Sequence, residues 1–266
     1  MKILSLKKIA AFSALILCVI KLGAQSDSLS QLTSDRTLQT ETPDLLPQGF
    51  FQVETGFGYI DRNETEAETD RVKIASTTLR FGVFSHFEVR VASGMESVAV
   101  RDKELDIDSG YRGMDPLSAG FKVFVAHEKG IRPQMAILGN ITFRHVGHEY
   151  LRPTFSYPLG KIICRHTLTK RLSVGYNAGF SWNGETADGF FIYSAYTGYD
   201  ITKRLWSFAE VYGTFDAGNL PNHLGDVGLA YTLRNNLRMD LLAGLAFDRD
   251  VQKYWIGTGI SWRIPR

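Results

Sequence analysis

From Phe51 to the end of the chain, apolar and polar residues alternate with period two in one segment after another. Phe51, Val53, Thr55, Phe57 and Tyr59 share one parity, and Gln52, Glu54, Gly56 and Gly58 share the other. Successive strand side chains point to opposite faces, so this pattern predicts β-strands rather than amphipathic helices. The same alternation runs through residues 71–82, 87–98, 117–125, 132–143, 172–182, 191–201, 205–215, 226–233, 237–247 and 254–262. Residues 151–168 are the least regular, and the parity break at Pro158-Leu159-Gly160 predicts a bulge or bend there. In 205–215 the face assignment is ambiguous, because Trp206, Phe208 and Tyr212 share parity with Glu210. Together these segments predict about twelve strands.

The faces say more than the period. In the last hairpin Leu237, Met239, Leu241, Ala243, Leu245 and Phe247 form one apolar band, which Tyr254, Ile256, Thr258, Ile260 and Trp262 extend. The opposite face is mostly small or charged. A band bounded by Tyr254 and Trp262 fits a bilayer, because such rings settle at membrane–water interfaces. The connections support this. Leu168-Thr169-Lys170-Arg171-Leu172, Ile201-Thr202-Lys203-Arg204-Leu205 and Leu233-Arg234-Asn235-Asn236-Leu237 share one form, with Val83–Phe87 a looser copy. Each follows an even-numbered strand, whereas the connections 61–70, 99–114, 144–150, 184–189 and 216–223 are longer and varied. Short turns at one end and long loops at the other are the asymmetry of outer-membrane barrels. The predicted fold is all-β, an antiparallel up-and-down transmembrane β-barrel. Its last strand must pair with Phe51–Tyr59 to leave no open edge.

Three regions follow. Residues 1–24 read as a signal peptide: Lys2, Lys7 and Lys8 precede an apolar run, Ile9–Ile20, too short to span as a helix, and cleavage is expected after Ala24. Residues 25–48 are polar and end in Pro43 and Pro47, which predicts an extended periplasmic lead-in with no core of its own. Residues 49–266 form the barrel. Removing Cys18 with the leader leaves Cys164 as the mature chain's cysteine, so no intramolecular disulfide is expected. A net charge of +2 over 266 residues gives no indication of a nucleic-acid partner. The expected partners are outer-membrane lipid, a small-molecule solute and the barrel-assembly machinery.

Candidate chemistry is sparse. His145-Val146-Gly147-His148-Glu149 lies in a loop with no third ligand at a suitable spacing, so no metal or other cofactor is expected. Ser156 and His166 are on the irregular segment, but no Gly-x-Ser-x-Gly accompanies them, and the chain does not read as an enzyme. The informative set is the charges on lumen-facing parity: Glu54, Arg80, Glu88, Arg90, Lys122, Asp200, Glu210, Asp226, Arg238, Asp240 and Arg263. They could form a salt-bridged filling of a narrow barrel or a polar constriction that filters solutes. Tyr196, Trp206, Phe208, Tyr212 and Trp255 would add aromatic surface inside.

Asp35-Arg36, Gln39–Pro43, Leu46–Gly49 and Phe51–Phe57 resemble the opening of a bacterial outer-membrane transporter family named for the meta pathway of phenol degradation. Leu79–Gly82, Glu88–Arg90, Asp115–Lys122 and Arg132–Gln134 extend the resemblance, which reaches more loosely to the final strand. It implies an outer-membrane-type barrel and brings no catalytic or binding residues with it. The expected function is therefore a transporter or channel for small solutes, with hydrophobic or aromatic ones as the narrower option. A closed barrel with a structural or surface-interaction role and a barrel-embedded hydrolase are the alternatives.

Overall fold

The computed structural model describes residues 31–36, 38–63, 67–104, 107–215, 222–247 and 252–264. The signal peptide expected over 1–24 lies outside them. Thirteen strands follow in order among the described residues: β1 (Phe51–Asn63), β2 (Ala67–Phe84), β3 (Phe87–Asp102), β4 (Ile107–Met114), β5 (Ser118–Ala126), β6 (Gln134–Thr142), β7 (Tyr157–Thr167), β8 (Leu172–Trp182), β9 (Gly189–Asp200), β10 (Leu205–Phe215), β11 (Asn222–Arg234), β12 (Leu237–Ala246) and β13 (Gln252–Ile264). Each pairs antiparallel with its neighbour. β13 pairs with β1 along its whole length, with Phe51 opposite Ile264 and Asn63 opposite Gln252. β2 pairs with both β1 and β3, so the sheet closes on itself. Closure satisfies every ladder without leaving an edge in hydrocarbon.

Thirteen strands occupy twelve positions in the wall. β3 pairs with β5 over Phe87–Ala92 and with β4 over Met95–Asp102, so β4 and β5 follow each other at one position. Asp115–Leu117 separates them, and the connection 143–156 meets the break, with His148 N–H donating to Met114 O (2.8 Å) and Phe143 N–H to Leu117 O (2.9 Å). Two of the expected long loops are therefore shorter. β1 and β2 run on through 61–63 and 67–70, and β3 and β4 through 99–102 and 107–114. Ribbons rising beyond the apolar band need no alternating apolar face, so the pattern there reads as loop while the ladder continues.

The expected bulge at Pro158–Gly160 is absent, since β7 keeps continuous register with β6 from Tyr157 to Arg165 and with β8 from Leu159 to Thr167. The parity fails for another reason. Leu159 and Ile163 are apolar on the inner face, where Ile163 joins Ala136 and Leu138 in a buried cluster packed against Leu45. Outside, the apolar band is continuous. Leu79, Phe81, Val91, Phe121, Ile137, Ile162, Phe180, Val211, Val227, Leu229, Leu241, Leu245 and Ile256 all point away from the lumen and are exposed. Leu241 sits within this band, between Leu229 and Thr258. Leu241→Arg is expected to destabilise the barrel in bilayers by about 2–4 kcal/mol, measured by urea unfolding in lipid vesicles.

Candidate functional site

The lumen is not empty. Of residues 25–48, expected to form a lead-in outside the barrel, 31–36 and 38–46 lie inside it. Leu32, Leu46 and Thr40 are almost fully buried. The segment has no periodicity because it is not part of the sheet. It is ordered by side chains of the wall. Leu32 N–H donates to Asn235 O (2.9 Å) at a short turn, Ser34 Oγ meets Ser261 Oγ (2.7 Å), and Arg36 forms a bidentate pair with Asp240 (3.0 and 2.6 Å). The apex is at Gln39 and Thr40, whose backbone N–H groups donate to the two oxygens of Glu210 (2.7 and 2.8 Å), with Thr40 Oγ1 adding 2.6 Å. The descending leg returns through Asp44, paired with Arg165, and Leu46 N–H, which donates to Glu88 (2.9 Å). A turn at Pro47–Phe50 then delivers the chain to β1. Phe50 N–H bonds Pro47 O (3.1 Å), and Gly49 at φ 78° takes the positive-φ position such a turn requires.

Close approach to the wall depends on glycine where Arg36 crosses it. A Cβ on Gly56 or on its cross-strand partner Gly259 would sit 2.1–2.3 Å from the Arg36 guanidinium. The two glycines form the seat into which Arg36 folds toward Asp240.

Most of the inward charges converge on this segment. Asp35 is the hub. Its carboxylate pairs with Lys122, with Arg90 (3.3 Å) and with Arg80 (3.4 Å), and it accepts from Thr42 N–H (3.1 Å) and Thr42 Oγ1 (3.0 Å). Arg80 also holds Glu88 bidentately (2.7 and 2.9 Å) and Glu54 (2.8 Å). Glu41 pairs with Arg90, Lys122 (3.3 Å) and Lys161 (3.6 Å). Burial pushes the Asp35 carboxyl up, but Lys122, Arg80 and Arg90 outweigh it and hold the group well below the usual carboxylate range. Glu41 follows the same logic: burial raises it, while Arg90, Lys161 and Lys122 bring it down to about 2.

The remaining candidates lie apart from that hub. Asp226 faces Glu210 directly across β10 and β11, buried like it. Arg238 lies over the Trp206 ring at 5.0 Å, and Asp200 stands exposed at the short-turn rim of the same chamber. Arg263 donates to Asn235 O (3.2 Å), with Phe50 5.7 Å from its guanidinium. The ambiguity in 205–215 resolves with both kinds of residue inward. Phe208 and Tyr196 are buried against Leu38, with Trp206 beside them, and Tyr212 stands 6.2 Å from Trp255.

Sequence reasoning missed Asp35, Arg36, Glu41 and Asp44, together with Lys161 and Arg165. One signal was available for the first four. The family resemblance is dense at 35–49, where an untethered lead-in has no reason to carry Leu38, Leu45 and Leu46.

The segment divides the lumen. A chamber of about 310 Å³ lies beyond its apex, lined by Gln39, Lys161, Asn177, Tyr193, Ser194 and Tyr212 among others. A neighbouring space of about 160 Å³ shares Leu159 and Lys161 with it. On the short-turn side, Leu38, Thr42, Tyr196, Trp206 and Arg238 help line a third chamber of about 280 Å³. Leu38 and Gln39 thus face different chambers. The described residues hold no group of three or more His, Cys, Asp or Glu able to bind a metal, and His145 and His148 lie in the connection 143–156.

Comparison with known proteins places this geometry. Residues 34–264 match the sequence profile of the family described as "Putative MetA-pathway of phenol degradation". No curated protein matches the chain. Among solved structures, an outer membrane channel from Pseudomonas putida F1 is similar over 85% of this chain and 99% of its own, with a TM-score of 0.66 at 8% identity. The translocator domain of the autotransporter NalP from Neisseria meningitidis is similar over 95% and 96%, with a TM-score of 0.55 at 10% identity. The transport unit of the autotransporter AIDA-I from Escherichia coli follows over 86% and 94%, at 0.51 and 9% identity. At these identities the likeness concerns the fold.

Proposed function

Because the chain belongs to the phenol meta-pathway family and folds as an outer-membrane-type barrel, we propose that it carries small solutes passively across the outer membrane through its lumen. The observation that supports this most is the division of the lumen. Chambers of the lumen on either side of the segment are separated by residues 38–42, which side-chain contacts hold in place and which lie outside the sheet. A shift of that segment joins them without breaking a strand pair. The eleven inward charges then serve both as a neutralised filling and as the polar wall of the path. The outer chamber carries Phe190 and Tyr212 beside Asn177 and Ser194, and this favours a single-ring solute bearing few charges. In the same reading the chain is exported by a signal peptide cleaved after Ala24 and inserted by the barrel-assembly machinery, with the long connections outside.

One observation favours the second reading, a closed barrel with a structural role: the segment is buried and bonded at every level of the lower lumen. Planar-bilayer recording on purified protein, together with liposome uptake of neutral and charged single-ring solutes, separates the two. Transport predicts small conductance steps and uptake of the neutral ring. Silence in both assays leaves the closed barrel standing.

A further inference from the structure

Adjacent short turns on one side of the barrel repeat a design that solute passage does not use. Leu168-Thr169-Lys170-Arg171 joins β7 to β8, and Ile201-Thr202-Lys203-Arg204 joins β9 to β10. They fold alike. Thr169 Oγ1 accepts from the N–H groups of Arg171 (3.2 Å) and Leu172 (3.0 Å), and Thr202 Oγ1 from those of Arg204 (3.2 Å) and Leu205 (3.0 Å). A turn closed on its own threonine leaves the following Lys and Arg side chains directed away from the barrel, and all four are exposed. Arg234 continues the row at the next turn, while Lys129 and Arg132 stand exposed on the preceding one, between β5 and β6.

These strands are consecutive neighbours, so successive turns lie two strand spacings apart, about 10 Å. The basic residues therefore trace an arc of about 30 Å along the rim. The carboxylates on these turns are turned to other work. Glu128 accepts from Thr167 N–H (2.9 Å) and lies 3.7 Å from His166, and Asp200 borders the inner chamber with Arg238, with Arg171 as a second, weaker partner. Immediately inside the arc, facing outward, are Leu168, Ile201 and Leu233, followed by Tyr199 and Tyr231, all exposed. The order along the wall is apolar band, tyrosines, a last row of leucine and isoleucine, cations. An outward apolar face that carries tyrosines near its edge and ends in cations matches the passage from a bilayer's hydrocarbon to its phosphate layer.

We infer that this arc binds the headgroups of anionic phospholipids in the leaflet at the short-turn end. Arginine offers two parallel N–H donors to a phosphate and the neighbouring lysine a mobile third contact, so each Lys-Arg turn forms a half-open phosphate clamp beside a tyrosine. The acyl chains lie against the leucine and isoleucine just inside.

The test uses the full-length protein in nanodiscs of mixed phosphatidylcholine and phosphatidylglycerol, with the tightly held lipid identified by native mass spectrometry. Each cation near a membrane surface contributes a factor of about five in preference for anionic lipid. Wild type should therefore retain phosphatidylglycerol at least about fivefold above its bulk share. Lys170→Ala, Arg171→Ala, Lys203→Ala and Arg204→Ala together remove both Lys-Arg clamps and should lower the enrichment by at least about fivefold. A control with Lys103, Arg112, Arg144 and Arg152 replaced by Ala at the opposite end should keep it. Heat-modifiable migration in SDS confirms that each variant is folded, since neither threonine is touched. No enrichment in wild type overturns the inference, as does equal loss in both variants, which would report net charge alone. Preference for lipopolysaccharide over phosphatidylglycerol also overturns it, because the arc would then belong to the other leaflet.

Discussion

Arg80→Met should destabilise the folded barrel by about 3–5 kcal/mol, the usual cost of removing one partner from a buried ion cluster. The guanidinium is 1% exposed and neutralises Glu54 on β1 and Glu88 on β3 while also facing Asp35. Met fills similar volume but leaves two buried carboxylates on neighbouring strands without their main counter-charge. Removing one of those charges as well should recover part of the loss, so Arg80→Met with Glu88→Gln is expected to be more stable than Arg80→Met alone. Urea unfolding in lipid vesicles, followed by tryptophan fluorescence, gives both values. Equal stability of the single and double variants would mean that water or protons compensate the carboxylates, and the cluster would lose its structural role.

Asp35→Asn should act on the occluding segment rather than on the wall. The side chain keeps its shape and can still meet Thr42, but Lys122, Arg90 and Arg80 lose the charge that gathers them around the segment. If the closed arrangement loses about 3 kcal/mol, the population of the shifted segment rises by about two orders of magnitude. The expected result is a large increase in open time in planar bilayers, with heat-modifiable migration in SDS unchanged. Acid should do the same to wild type. Asp35 and Glu41 are both held below their ordinary values in the folded protein, so their contribution is complete above about pH 4.5, the ordinary carboxylate value of Glu41. It is lost as pH falls from there toward 2. Asp35 and Glu41 should therefore raise conductance as pH falls below about 4. A conductance that falls on acidification, or an Asp35→Asn channel indistinguishable from wild type, would remove Asp35 from the gate.

Much of the wall was legible because a barrel strand is simple to encode. Lys122 falls between Phe121 and Val123, and that local parity alone sends its ammonium inward. Leu241 and Asp240 part in the same way. Legibility failed where parity carries two meanings. Leu159 and Ile163 are apolar and inward because Leu45 packs near them, so an inner apolar patch reads as a break in the strand. The strand ends at 61–63, 67–70, 99–102 and 107–114 read as loops, since above the bilayer neither face must be apolar.

Chain sequence alone determined the period-two strands, the outward apolar band, the alternation of short and long connections and the inward set of charges. Each is a local property, set by side chains one or two positions apart. Only the tertiary structure decided that residues 31–36 and 38–46 fill the lumen and divide it. That information is not local: Asp35 meets Lys122 across 87 positions, and Arg36 meets Asp240 across 204. A segment with no regular hydrogen-bond ladder leaves no period in its own sequence, and its conformation is written in the charges of the wall that surrounds it.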